Sequence, residues 1–233
     1  MDLRVIESSS RGNCYLLKTS DSTLILECGV LYKKILNGLD YKLNNVAGCL
    51  ITHEHGDHSH SVNEIMKAGI NVYTAAGTIE KLNLKGHRVN TVKALQQFSI
   101  GDFTILPFDV QHDAIEPLGY LIQHPEMGKL LFATDTYYIK YKFSGLNYVM
   151  LECNYDNRIL SQNMNAGIIN WSLKNRIIKS HFSLDNVKGF LKANDISQLI
   201  RIYLMHLSDR NSDAALFKTE IEKLTGIPVV VCG

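Results

Sequence analysis

The chain has 233 residues, of which 45% are hydrophobic and 20% charged, enough to bury one large α/β core or two small ones. Its 24 basic and 23 acidic residues give a formal net charge of +1, which excludes a general polyanion binder and leaves nucleic-acid contacts to a local patch. We expect neither a signal peptide nor a membrane span, because no window approaches the roughly 18 continuous apolar residues that a span needs.

The first half of the chain alternates short β-branched apolar runs with turns, a pattern that predicts strands. The predicted strands are Leu3–Ile6, Cys14–Thr19, Thr23–Glu27, Ala47–Thr52, Asn71–Thr74, Phe103–Phe108 and Gly119–Gln123. Ser20–Ser22 is predicted to form a hairpin turn between the second and third of these strands. Apolar residues at helical spacing predict helices over Leu31–Asn37 and His60–Ala68, the latter ending at Gly69.

The second half of the chain is predicted to be richer in helix. The predicted strands are Lys129–Thr134, Tyr148–Glu152, Leu199–Met205 and Pro228–Val231. One long helix is predicted over Asn157–Lys179, and shorter ones over Leu184–Ala193, with Ser183 as N-cap, and over Asp213–Leu224. Because no Pro/Gly-rich linker interrupts this order, we predict a single α/β domain, residues 1–233, of packed sheet and helix layers.

The five cysteines are an odd number and show no CxxC spacing. They are Cys14, Cys28, Cys49, Cys153 and Cys232. Most lie in apolar, strand-like stretches, so we interpret them as buried free thiols rather than as disulfides or soft-metal ligands. Free thiols favour a cytoplasmic location for the protein.

A dense cluster of metal-binding side chains follows the fourth predicted strand. His53, His55, Asp57 and His58 fall within six residues, and Gly56 allows a tight turn among them. Imidazole nitrogen and carboxylate oxygen are ligands that zinc and its neighbours prefer. If the strand conformation persists, the first two histidines point the same way, and the turn redirects the other two side chains to a second metal. A solvated loop or hydrogen-bonded core histidines would account for one histidine but not for this spacing.

This segment, His53-Glu54-His55-Gly56-Asp57-His58, resembles the HxHxDH signature of the metallo-β-lactamase superfamily. That family needs three further ligands, and His112, Asp135 and His206 follow in the required order, each just beyond a predicted strand. The resemblance implies an α/β fold of the metallo-β-lactamase type, an αββα sandwich of two mixed β-sheets flanked by helices. It covers nearly the whole chain, although Glu27 stands where aspartate is usual, which we expect to alter ligand support more than metal binding.

The resemblance also implies a set of metal ligands. The ligands that it assigns to the first metal are His53, His55 and His112. Those of the second metal are Asp57, His58 and His206, and Asp135 bridges the two metals. Two divalent ions are implied, with zinc expected first and manganese or iron as alternatives. A hydroxide that bridges them would attack phosphorus or a carbonyl carbon, and Asp57 would hold the proton of the water as well as bind metal.

Further motifs resemble the YycJ-like group of the superfamily. The opening Ser8–Tyr15 and the segments Leu151–Asp156 and Ser180–Ser183 carry this likeness, with departures at Ser9 and Arg11 that could alter the preferred substrate. The resemblance places His181 at the edge of the active site as a catalytic residue that is not a metal ligand. There it would bind the scissile phosphate or protonate the leaving oxygen; the alternative is a capping or surface histidine.

The group implies a phosphodiesterase that acts on nucleic acid, of the 5′-to-3′ DNA exonuclease type. The alternative is a small-molecule phosphodiesterase acting on cyclic nucleotides, which the near-neutral charge and the absence of a basic stripe favour. Thioester or lactam hydrolysis is a weaker alternative. A non-catalytic binding protein is also less favoured, because all seven ligand positions are filled. The expected partner is a nucleic acid or nucleotide, without a membrane, and the resemblance implies a homodimer.

Overall fold

The computed structural model describes residues 2–233 of the chain. They divide into two units, the first made of residues 2–109 and Ala114–Met127, the second of Val110–Asp113 and Gly128–Gly233. We call them unit 1 and unit 2. The expectation that residues 1–233 form a single domain stays a prediction.

Unit 1 contains a mixed six-stranded sheet whose strands lie side by side in chain order. Its strands are β1 (Asp2–Ser9), β2 (Gly12–Lys18), β3 (Thr23–Leu26), β4 (Val46–Leu50), β5 (Val72–Thr74) and β6 (Val89–Thr91). The first three strands pair antiparallel. The predicted turn between β2 and β3 closes with the amide of Thr19 donating to the carbonyl of Ser22 at 2.9 Å. From β3 to β6 all pairs are parallel, so each connection must cross over.

Short helices make these crossovers and cover an apolar core. They are α1 (Tyr32–Gly38), α2 (Gly56–Ser59), α3 (Val62–Lys67) and α4 (Ala76–Lys81). Fully buried side chains such as Leu16, Ile25 and Ile51 pack with Ile35 and Ile65 from the helices. Unit 1 also holds three antiparallel strands, β7 (Phe98–Ile100), β8 (Phe103–Asp109) and β9 (Leu118–His124).

Unit 2 contains four parallel strands, β10 (Gly128–Ala133), β11 (Tyr148–Glu152), β12 (Arg201–Met205) and β13 (Val229–Val231). Their order is β13-β12-β11-β10, and the helices are α5 (Asn157–Asn165), α6 (Trp171–Ser180), α7 (Leu184–Ala193) and α8 (Ala214–Thr225). Ala133 pairs with Leu151, and Leu151 with Leu204. In parallel pairing this register brings the carboxyl ends of β10, β11 and β12 to one edge, where functional groups gather in parallel sheets.

The single helix predicted over Asn157–Lys179 is wrong, since the chain forms α5 and α6 there instead. Gly167 adopts a left-handed φ of 70° just after α5 ends. Asn170 then starts α6, because its side-chain oxygen accepts the amide of Leu173 at 2.8 Å. A glycine with positive φ ends the first helix, and an asparagine N-cap three residues later begins the second.

The other predicted elements are present, most of them with shifted ends. Ser183 caps α7 as predicted, with its hydroxyl 3.1 Å from the amide of Asn186. Four further elements, α2, α4, β6 and β7, have no counterpart among the predicted ones. Each has only three to six residues, too few for a helical or alternating pattern to stand out.

All five cysteines are buried and free within residues 2–233, which confirms their interpretation as reduced thiols. Across the same residues, no helix has the length and apolar character needed to cross a membrane.

The N-cap of α5 gives a first testable prediction. Asp156 accepts the amides of Arg158 at 2.7 Å and Ile159 at 3.2 Å, so we expect Asp156→Ala to lower the free energy of unfolding by about 1 kcal/mol. Burial raises the pKa of Asp156, but the hydrogen bonds from Arg158 outweigh it and leave that pKa lowered. A carboxyl with a lowered folded-state pKa stabilises the protein above its unfolded pKa and loses that contribution as the pH falls.

Urea unfolding of the wild type and the Asp156→Ala variant at pH 7 and below about pH 4 measures this effect. The difference between the two proteins should shrink at the lower pH. Asp156→Asn is the matched control, because an asparagine oxygen still caps the helix. If Asp156→Ala lowered the free energy of unfolding equally at both pH values, the capping role of the charged Asp156 carboxylate would be contradicted.

Candidate metal centre

In unit 1, the candidate ligands follow the end of β4. β3 and β4 are parallel, with Leu26 paired to Leu50, so the residues just beyond both strands lie side by side. Glu27 has a left-handed φ of 65° and is fully buried, and its carboxylate accepts the amide of Thr52 at 3.2 Å. Burial raises the pKa of this carboxyl. The same carboxylate lies 3.6 Å from His58 Nδ1, so Glu27 lies against the segment that carries the candidate ligands.

The four candidate ligands of unit 1 lie close together. His53 Nε2 is 3.0 Å from His55 Nδ1, and the rings of His53 and His58 are 4.2 Å apart between centroids. His58 Nε2 is 3.3 Å from a carboxylate oxygen of Asp57. The hydroxyl of Thr52 lies 2.9 Å from His53 Nδ1. In His53 and His58, therefore, Nδ1 faces a supporting group while Nε2 faces another candidate ligand, the arrangement that orients histidine for metal binding.

In unit 2, two candidate ligands occupy strained positions at strand ends. Asp135 follows β10 with a φ of 47°, and His206 follows β12 with a φ of 53°. Both side chains are buried, and His206 Nε2 lies 3.7 Å from a carboxylate oxygen of Asp135. Left-handed backbone at residues other than glycine is costly and concentrates at functional sites. The parallel register thus explains how residues 71 positions apart come to face each other.

His112 joins this pair through the short segment Val110–Asp113. The amide of Tyr137 donates to the carbonyl of Gln111 at 3.0 Å, which holds the segment beside the residues after β10. His112 Nε2 lies 3.6 Å from Asp135, and Nδ1 lies 3.0 Å from the carbonyl of Ser180. Only a protonated Nδ1 can donate to that carbonyl, so Nε2 keeps its lone pair. Burial lowers the pKa of His112, which favours the neutral imidazole that a metal requires.

Glu152, the last residue of β11, lies at the centre of the unit 2 cluster and was not predicted as a site residue. Its fully buried carboxylate accepts the amides of Thr136 at 3.0 Å and Phe182 at 3.1 Å. The same carboxylate is 2.5 Å from His181 Nδ1 and 3.3 Å from His206 Nδ1. A charged residue at the end of the apolar run Tyr148–Glu152 was the available signal, since charges are seldom fully buried without a purpose.

His181 lies beside the candidate ligands but is bound to Glu152. Its ring stacks on that of His206 with 5.6 Å between centroids, and its side chain is 19% exposed, enough to be reached from solvent. Burial by itself would lower the pKa of His181, but the Glu152 carboxylate raises it above the ordinary value. A histidine held in this way keeps its proton at higher pH than a free one does.

Each predicted site residue can therefore be placed within its own unit. Unit 1 brings together His53, His55, Asp57 and His58; unit 2 brings together His112, Asp135, His181 and His206. In unit 2, one ligand atom each from Asp135, Glu152, His181 and His206 lie within 4.8 Å of one another. Buried imidazole and carboxylate groups at this spacing have the chemistry of a divalent-metal site. The assignment of individual residues to a first or a second metal stays a prediction.

Comparison with known proteins agrees with this chemistry. A family model described as a beta-lactamase superfamily domain matches residues 34–206. Exodeoxyribonuclease YycJ of Bacillus anthracis is 28% identical over 238 residues, which cover 94% of this chain and 87% of that protein. Exodeoxyribonuclease WalJ of Streptococcus pneumoniae serotype 2 is 30% identical over 228 residues, which cover 89% of this chain and 82% of that protein.

A solved structure of similar architecture is YhfI of Bacillus subtilis, a metallo-β-lactamase fold protein. It superposes with a TM-score of 0.72 at 15% identity, covering 98% of this chain and 95% of that one. The predicted fold class, two mixed β-sheets flanked by helices, is thereby confirmed. The chain belongs to the metallo-β-lactamase superfamily, in its YycJ-like branch, and is a metal-dependent hydrolase.

Proposed function

We propose that this protein hydrolyses phosphodiester bonds in DNA, as an exonuclease of the 5′-to-3′ type. One observation carries the proposal: two relatives named exodeoxyribonucleases align with 94% and 89% of the chain, so the likeness spans both units. A likeness of this extent covers every candidate site residue rather than a shared fold element alone. The near-neutral net charge of +1 means that DNA contacts come from local groups.

We further propose that the chain binds two divalent metal ions, with zinc as the first candidate and manganese or iron as alternatives. The proposed ligands are His53, His55, Asp57, His58, His112, Asp135 and His206. The pattern of the family provides for two metal ions, and the donors within each unit have the chemistry to bind them. Bound metals would supply a water activated for attack and would neutralise charge on the phosphate.

The protein's own groups then have separate tasks. We propose that His181 protonates the leaving oxygen of the scissile phosphate, because its Nδ1 is bound to Glu152, which leaves Nε2 to meet the substrate. Asp57 combines metal binding with holding the proton of the attacking water. Glu152 orients His181 and His206 together, and the burial of this carboxylate makes the orientation rigid.

The location and assembly of the protein complete the proposal. Five buried free thiols fit a reducing compartment, so we propose that the protein acts in the cytoplasm. The homodimer implied by the resemblance stays a prediction.

The test is hydrolysis by metal-loaded protein of single- and double-stranded DNA, cyclic mononucleotides and bis(p-nitrophenyl) phosphate. We expect stepwise release of nucleotides from DNA 5′ ends, lost in Asp57→Ala and strongly reduced in His181→Ala. Asp21→Ala is the matched control for the first variant, because Asp21 lies in the exposed turn between β2 and β3. Turnover of cyclic mononucleotides with DNA left intact would replace the exonuclease proposal by a small-molecule phosphodiesterase. If the metal-loaded protein hydrolysed none of these phosphodiesters, both the exonuclease and the small-molecule phosphodiesterase would be contradicted.

A further inference from the structure

Unit 2 contains a cavity of about 320 Å³ whose lining includes residues close in the chain to Asp135 and His181. One wall is the segment 137–142, which begins two residues after Asp135. The other wall comes from Phe182, next to His181, and from α7. The cavity therefore starts next to two of the proposed site residues along the chain. Its volume falls in the range of small-molecule pockets.

Hydrogen bonds at both ends hold the segment 137–142 in place. Thr136 donates its amide to Glu152 at 3.0 Å and its hydroxyl to the carbonyl of Tyr138 at 2.9 Å. Asn186 of α7 donates to the carbonyl of Tyr137 at 3.2 Å. At the far end, the amide of Phe143 donates to the side chain of Asn194 at 2.6 Å. The cavity is thus preformed, and it is tied to the same carboxylate that orients His181.

The lining combines exposed aromatic rings with positive charge. Tyr137 is 40% exposed and Tyr138 is 56% exposed, whereas Phe182 and Phe190 are buried beneath the cavity. Exposed apolar surface at a cavity is a feature of ligand-binding grooves. The charged groups of the lining are Lys140, Lys142 and Asp185, which give the cavity a net charge of +1.

We propose that this cavity binds an unpaired nucleobase of the DNA strand being cleaved, with its phosphate beside the two lysines. The inference rests on the proposed exonuclease function and adds its substrate class, a single-stranded or frayed end. Exposed aromatic rings combined with basic groups form the usual platform for single-stranded nucleic acid, because every base offers a face for stacking. A paired base would first have to leave its stack, which costs free energy.

The first test is steady-state cleavage of a single-stranded oligonucleotide by the metal-loaded Tyr138→Ala variant. We expect KM to rise roughly tenfold with little change in kcat, the size of effect that loss of one base–aromatic stack produces. Tyr138→Phe keeps the ring and should behave as the wild type does. Tyr41→Ala is the matched control, because Tyr41 is 64% exposed and lies in unit 1.

The second test changes the substrate, so its result does not depend on whether a substitution disturbs the fold. Each oligonucleotide in a series carries a single abasic nucleotide, placed at a different position near its end. KM for each oligonucleotide is measured with the wild type and with Tyr138→Ala. We expect one abasic position to raise KM of the wild type about as much as the tyrosine replacement does, and to cost the variant nothing further.

The outcomes separate this inference from the proposed function. DNA cleavage by the wild type with KM unchanged in Tyr138→Ala, or with abasic penalties equal in both proteins, would overturn the nucleobase site and leave the exonuclease intact. Equal KM values for blunt duplex and single-stranded DNA would also overturn it. Failure of the wild type to cleave any DNA would overturn the proposed function and the inference with it.

Discussion

Replacing Glu152 by glutamine is expected to lower phosphodiester hydrolysis by about 10- to 100-fold, through weaker metal binding, a lower kcat or both. The reason is geometric. The carboxylate accepts from two backbone amides and lies against Nδ1 of both His181 and His206. Glutamine has nearly the same shape but offers only one acceptor oxygen, so its amide NH₂ must face at least one of these donors.

Buried donors that lose their acceptor destabilise the site locally, and the two imidazoles are then free to turn away from their working orientation. The measurement is kcat and metal content for Glu152→Gln, with unfolding in urea as a check that the protein stays folded. Glu126→Gln is the matched control, since Glu126 is exposed and its carboxylate accepts from Ser20 at the surface of unit 1. Activity and metal content equal to the wild type would contradict the role given to Glu152.

The second large effect concerns Gly29, where we expect alanine to lower the free energy of unfolding by about 3 kcal/mol or more. A Cβ atom on Gly29 would meet the carbonyl oxygen of Asp57 at 1.7 Å and the amide nitrogen of His58 at 2.5 Å. Both are backbone atoms of the ligand segment and cannot rotate away. The segment is fixed as well, because the amide of Cys28 donates to the carbonyl of His58 at 2.9 Å.

Gly29→Ala must therefore displace the turn that carries two proposed metal ligands, and we expect it to lose bound metal along with stability. Urea unfolding and metal analysis of the purified variant measure the two effects. The matched control is Gly189→Ala in α7, where the added Cβ meets no atom within 4 Å. There the same substitution should raise stability by about 0.5–1 kcal/mol, because alanine is the better helix former. Wild-type stability and metal content in Gly29→Ala would show that the turn adapts.

The Asp135 and His206 positions show how strand ends present the candidate ligands of this site. Both residues follow apolar strands that the sequence identifies, and both adopt left-handed φ values there. A strand end is where the chain leaves the sheet, so a polar side chain can be presented without breaking the ladder. The prediction failed instead where local signals competed, as in the long helix that Gly167 and Asn170 divide.

The sequence by itself determined the family and the strand ends, and it singled out the four candidate ligands from His53 to His58, because six consecutive residues carry that spacing. Local chemistry was sufficient to identify these candidates, since histidine and aspartate side chains are common metal ligands. Only the tertiary structure revealed that Glu152 joins His181 to His206, and that exposed tyrosines and α7 line one cavity. Those relations depend on parallel register and helix packing, which join residues far apart in the chain and leave no periodic trace in the sequence.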